Sequence, residues 1–467
     1  MLRVTVRVHL RTRGIVLALL MLALLAMGAG GAYGDWHLVA SKSFDGASIV
    51  QVEADGKLRT VVLVLRLREP GSYAIASYRW PGEESWQYRP ARSSKIHVVA
   101  IAEGAAQVLA HVSPIPPANL PATVAPPAPN LLQLSEADGR LEGKLQLEPG
   151  DWGVQVNRDT TILLVEGMNP RFLRQDGSVL SWLKRVEPPL PEGLDWFYHP
   201  ILLAPDGSYA LVYAIDNASD LYHVTADGKR IWELHMDHGA VASLNLPPRF
   251  SRGGGHYLLL SANPYLPLGP FKVLRRGEGV PPVPHAVGGP AWALTLLRLS
   301  REDVFPAGGG KVRALWGEVR GQMMADSIDG PEPAYQLERT AIAERQDGIT
   351  IAAAGIGGRL VLYDLDRRGI LRSTKDIHLE PDVAVHRLEV AGNPPVILVA
   401  GGPRIGDVSN ITPEQRARMA QVRVLSLDGE HLFEWTGEGT ITDALLSDDG
   451  RRAAVATSAA LHFFAAE

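Results

Sequence analysis

Cysteine is absent from all 467 residues. That excludes disulfides, thiolate metal sites, a cysteine nucleophile and a lipidated anchor cysteine. A lipase-type serine elbow, a phosphate loop and a zinc-binding helix motif are missing as well. Neither sign of charge dominates: 46 basic residues face 51 acidic ones, a net charge of −5. Such a balance gives no electrostatic case for nucleic acid. Glycine (47) and proline (34) are above average usage, which suits many tight turns and argues against a helical bundle. The chain is too long for one ordinary domain, and its hydrophobic (46%) and charged (21%) shares are those of a globular protein.

The N-terminus is the most specific signal. Arg3, Arg7, Arg11 and Arg13 precede an uncharged apolar core, Ile15 to Met27, and then a run of small residues. Ala32 and Gly34 are suitably placed for cleavage before Asp35. A positive end, short apolar core and small-residue exit form a secretory signal peptide over 1–34, which implies a periplasmic or secreted chain. An uncleaved anchor is the other reading, because Ile15 to Gly34 is barely long enough to span a bilayer.

From Trp36 to Val112 the apolar runs are strand-like, and residues 35–112 read as a small β module of sandwich type. Seven prolines between Ser113 and Asn130 cannot enter a sheet interior, so 113–130 reads as an extended linker and the main domain boundary. Beyond it one unit recurs. Short apolar runs are bounded by Asp-Gly pairs, which favour the positive φ angles of two-residue hairpin turns. Within a four-stranded unit labelled A to D from the inside out, A-to-B turns fall at Asn157, Pro205-Asp206-Gly207, Arg252, Asp347-Gly348, Gly392 and Asp449-Gly450. C-to-D turns fall at Asp176-Gly177, Asp227-Gly228, Arg301 to Asp303, Asp366 to Gly369 and Asp428-Gly429. The strand after each carries Trp182, Trp232, Trp316, Ile370-Leu371 and Trp435 in turn. Six inner hairpins with a last unit ending at Leu461 to Phe464 predict an all-β, six-bladed (or seven-bladed) β-propeller over 131–467. A ring closes by borrowing a strand from the other end of the chain, and Arg140 to Leu147 is the natural donor.

The run Asp220 to Glu233, with Trp232 after Asp227-Gly228, resembles the repeat of pyrroloquinoline-quinone-type (quinoprotein-like) propellers; Gly358 to Asp366 and Val422 to Trp435 are similar. Leu202-Leu-Ala-Pro-Asp-Gly-Ser-Tyr-Ala-Leu-Val resembles the inner hairpin of tryptophan-aspartate-repeat propellers. The resemblance implies a fold more than an activity. Quinoprotein dehydrogenases carry a calcium-binding acidic site and, in the alcohol dehydrogenase branch, vicinal cysteines. The absence of both patterns argues against a pyrroloquinoline quinone cofactor, and no cofactor is predicted.

Function is expected where the connections are long: Arg185 to Pro200, Ser261 to Trp292, Glu318 to Gln336 and Gly401 to Gln421, all on one face of a propeller, with Ser300 to Gly310 the exception. Trp196-Phe-Tyr198-His199 groups aromatic rings with an imidazole, either as a site or as packing. His235, Asp237 and His238 could bind zinc or copper, but no third distant ligand is identifiable, and no metal is predicted. The same run, with Gly254-Gly-His256-Tyr-Leu, resembles arylsulfotransferase-type propellers, which use a loop histidine as acceptor. Tyr265 and His285 lie in a Pro/Gly-rich insertion. Thr412-Pro413-Glu414-Gln415 begins a short helix, and Arg404, Arg416 and Arg418 make its loop basic. Two readings follow. One is an exported, non-catalytic propeller that binds a protein partner in the cell envelope. The other is a transferase or hydrolase using His199, His235 and His238 at the channel mouth.

Overall fold

The computed structural model describes residues 33–90, 94–102, 106–115, 128–184, 198–214, 217–228, 230–235, 249–252, 255–262, 274–275, 278–279, 292–298, 313–320, 337–355, 358–380, 382–404 and 412–467. The predicted leader up to Ala32 lies outside them; Tyr33 and Gly34, assigned to it by the sequence, do not. Tyr33 packs against an apolar layer formed by the last sheets of the chain.

Among the described residues there are eight four-stranded antiparallel sheets, each built from strands consecutive in sequence except two: the eighth, and the fifth, whose second and third strands are separated by a small two-stranded sheet, Leu274–Arg275 with Glu278–Gly279. In chain order they span 47–88, 94–146, 151–182, 198–235, 249–320, 337–378 and 383–437; the eighth combines 441–466 with Trp36–Ser43. Each sheet packs on the next through a layer of alternating aliphatic side chains. Val62 and Ile75 of the first meet Val108 and Leu132 of the second. Leu109 meets Leu163, Phe172 meets Val212, Leu259 meets Ile351, and Leu362 meets Val399 at later seams. Between the fourth and fifth sheets the rings of Tyr209 and Phe250 stand 6.0 Å apart. The seventh and eighth share Leu398, Val422 and Phe464. Finally Phe463 of the eighth lies 5.2 Å from Trp80 of the first, edge to face, so the succession returns to its start. Burial on both faces of every sheet supplies the hydrophobic stabilisation, and the radial arrangement leaves only short strand edges at the axis and the rim.

Three expectations need correction. The closing strand is Trp36–Ser43, which pairs with Ala460–Ala466; Leu141–Gln146 instead pairs with Asn130–Ser135 inside the second sheet. Both candidates are outermost strands with mostly exposed side chains, so neither carries a strong local signal. The six inner hairpins found in the sequence are those of the third to eighth sheets. Residues 47–146, read as a separate module, a linker and the start of the ring, form two further sheets of the same plan. The proline-rich stretch therefore does not join two units: it connects Gln107–Pro114 to Asn130–Ser135, neighbours in one sheet.

Turn chemistry also differs from expectation. At Asp176-Gly177 and Asp428-Gly429 only the glycine has positive φ. The glycine N–H donates to the carbonyl three residues back (Gly177 to Arg174, 2.9 Å; Gly429 to Ser426, 3.0 Å), and the register slips beside the turn. This is a type I turn completed by a left-handed glycine bulge, one residue longer than the two-residue turn. The aspartate caps it, Asp176 Oδ1 accepting the Ser178 N–H at 2.8 Å.

Candidate functional site

In a four-stranded up-and-down sheet, the A-to-B and C-to-D turns share one end, and the B-to-C and D-to-A connections share the other. All the long connections expected from sequence leave the second end, and the proline-rich 115–129 connection joins them there. The turn end is drawn tight. The Asp448 N–H donates to Gly56 O in the first sheet at 2.7 Å, and the Asp448 carbonyl accepts the Gly392 N–H of the seventh at 3.1 Å. Arg158 N–H likewise donates to Pro205 O at 2.8 Å in the next turn.

The innermost strand of every sheet faces the central axis. Among the described residues the register shifts along seven of these strands, between Ile49/Gln51, Val98/Ala100, Asp151/Gly153, Pro200/Leu202, Leu337/Arg339, Val385/Arg387 and Ile441/Asp443. A bulge adds one residue and re-aims the side chains beside it. Four consecutive sheets, sixth to eighth and first, place Arg339, Arg387, Asp443 and Gln51 just past that bulge. Three of these reach the next inner strand. Arg339 Nε donates to His386 O at 2.7 Å, Arg387 Nε to Asp443 Oδ1 at 2.5 Å, and Gln51 Nε2 to Val98 O at 2.8 Å.

Deeper along the axis lie carboxylates. Glu389 stands 3.8 Å from Arg249 Nη1 and 3.3 Å from Arg252 Nη1. Arg252, on the fifth sheet's A-to-B turn, also donates to Asp448 Oδ1 at 2.8 Å and to Leu446 O, both in the eighth sheet. One side chain thus ties three sheets together across the turn end of the axis. Glu53 accepts from Gln51 Nε2 at 3.1 Å. Burial pushes its carboxyl up to about 7, with Asp443 and Glu389 adding in the same direction. Burial raises Glu389 too, against the pull of Arg252 and Arg249. Burial lowers Arg339 and His386, each pushed further by neighbouring guanidinium groups.

The residues singled out by sequence are dispersed. Tyr198 and His199 open the innermost strand of the fourth sheet, while His235 ends its outermost strand. Both ends are at the connection end, but three strand spacings, about 14 Å, separate the backbones. His256 sits at the opposite, turn end, its Nδ1 2.9 Å from Glu344 Oε2. Trp196, His238, Tyr265 and His285 lie outside the described residues. Arg404 is bound to Glu338, and Arg416 is exposed at the end of the one-turn helix Pro413–Arg416. Among the described residues no group of three metal-ligating side chains occurs, and no helix is long and apolar enough to cross a membrane. The axial residues Arg339, Arg387, Glu389, Asp443 and Glu53 were missed. Each lies in an alternating apolar run where a polar residue reads as the solvent-facing half, and only the shared offset from the A-to-B turn marks them.

No family model and no curated protein matches the chain. Solved structures do. The crystal structure of BamB from Moraxella catarrhalis superposes with a TM-score of 0.50 at 11% identity, covering 92% of this chain and 99% of that one. The C-terminal WD40 domain of Sif2 gives 0.53 at 11% identity, covering 94% and 100%. The chain has a β-propeller fold, with a fold-level resemblance to the quinoprotein-like and tryptophan-aspartate-repeat propellers.

Proposed function

We propose that this protein is an exported, non-catalytic propeller whose connection end binds a protein partner in the cell envelope. The observation that carries this reading is the asymmetry of the ring: tight, mutually hydrogen-bonded turns at one end and every long connection but one at the other. A rigid scaffold presenting long connections from a single end is the usual construction of a binding surface. The leader-like N-terminus supports export. The partner's contact region includes the basic loop of Arg416 and Arg418, both exposed.

Capture from envelope extract tests this. The intact mature chain retains a specific partner. Glutamate at Arg416 and Arg418 lowers the captured amount about fivefold or more, whereas glutamate at Arg174 and Arg451, on the turn end, leaves it unchanged. Equal loss from both ends, or no specific partner with the intact chain, overturns the reading.

A further inference from the structure

Most arginines around the axis end on a carboxylate: Arg249 and Arg252 on Glu389, Arg252 also on Asp448, Arg387 on Asp443 and Arg404 on Glu338. Arg339 is different. Among the described residues it has no ion pair, and its two hydrogen bonds go to backbone carbonyls, His386 O from Nε at 2.7 Å and Glu338 O from Nη1 at 2.5 Å. The His386 carbonyl is shared, since Arg387 Nη1 donates to it at 3.1 Å. Two guanidinium groups therefore converge on one neutral oxygen.

We propose that Arg339 and Arg387 form an anion site at the connection end of the axis, which takes a single carboxylate group. Two cations held on one carbonyl repel each other, and an anion between them turns that repulsion into two attractions. The planar forks of arginine match the two oxygens of a carboxylate. Charge elsewhere limits what fits. Glu338 and Asp443 flank the pair and Glu389 lies deeper, so a dianion meets more repulsion than a monoanion, and the ligand stops at the mouth. Depth agrees: Arg339 is the third residue of Leu337–Glu344, counted from the connection end. Half-buried Arg339 is shielded from bulk screening yet not sealed. The site stands without the partner reading, because a small carboxylate and a polypeptide carboxylate offer the same chemistry.

The mature full-length chain is titrated calorimetrically with sodium acetate and with two tetrapeptides that differ only in a free or amidated C-terminus. Binding of acetate and of the free-acid peptide assigns the site to carboxylates in general; binding of the free-acid peptide alone assigns it to polypeptide ends. Either result requires that Arg339→Gln weaken binding about tenfold or more, that Arg339→Lys keep part of it, and that the amide fail to bind. Melting temperature controls for folding: Arg339→Gln melts at or above the unsubstituted chain, because one of two facing cations is gone. The proposal is overturned by carboxylate binding that is equally strong in Arg339→Gln. It is also overturned if neither acid binds the unsubstituted chain, or if Arg339→Gln lowers melting and so marks the side chain as structural.

Discussion

One structural position, the residue just past the bulge of each innermost strand, divides the ring into unlike parts. The sixth, seventh, eighth and first sheets place Arg339, Arg387, Asp443 and Gln51 there; the second, third and fourth place Ala100, Gly153 and Leu202. On the charged side the seams are crossed by side-chain bonds at the axis as well as by apolar packing. On the other side Ala100, Gly153 and Leu202 have no polar side-chain atom with which to form such a bond. The third sheet compensates two residues later: Gln155 Nε2 donates to Ile201 O at 3.1 Å, and its Oε1 accepts the Leu203 N–H at 2.7 Å. The bulge is thus a common socket, and chemistry at the axis depends on what occupies it.

The largest effect is expected from Arg252→Ala, which removes the side chain joining the fifth sheet to the seventh and eighth and leaves Glu389 with Arg249, at 3.8 Å, as its nearest cation among the described residues. A partly buried carboxylate losing its better partner costs about 2–3 kcal/mol, read as a lower urea midpoint at unchanged slope. A loss below about 0.5 kcal/mol would mean that the charged side is held by its apolar layers alone.

Next comes Glu53, which faces Gln51, Asp443, Glu389 and Arg387. A carboxyl whose folded pKa lies above its unfolded value binds more protons when folded. Its contribution is therefore fully present below the ordinary value of 4.5 and is lost as pH rises through about 7. Glu53→Gln removes that loss, stabilising the chain by about 1–2 kcal/mol at pH 8 and by little at pH 4.5. Parallel stability curves for the two proteins between those pH values would refute the assignment.

The smallest effect is expected on the apolar side. Leu202→Gln places a polar group in the socket of the fourth sheet, where Leu202 is half-buried, and shifts stability by no more than about 0.5 kcal/mol. A change of several times that size would show the two sides to be equally constrained.

Much of the architecture was legible because strands announce themselves locally. Asp-Gly turns and the tryptophans after them located the third to seventh sheets and the three C-terminal strands of the eighth, and Trp182, Trp232, Trp316 and Trp435 do lie on outermost strands. Trp86 plays the same part in the first sheet, its Nε1 donating to Glu136 O in the second at 2.7 Å, yet it went unread. The reason is spacing: 115–129 separates two hydrogen-bonded neighbours and breaks the period before it is established.

The closing strand shows the limit. Trp36–Ser43 and Leu141–Gln146 are both short, mostly exposed and strand-like, and nothing within either says which one meets Ala460–Ala466. The number of sheets between the ends decides that. The axial cluster belongs to the same class, since Arg252, Glu389 and Asp448 meet only because the ring folds back on itself.

The sequence by itself determined the strands, the turns and the all-β propeller class, because alternation and turn chemistry are properties of neighbouring residues. Tertiary structure alone decided how many sheets form the ring, which strand closes it and which charges gather at the axis. Those outcomes depend on contacts between residues hundreds of positions apart, and no local pattern encodes them.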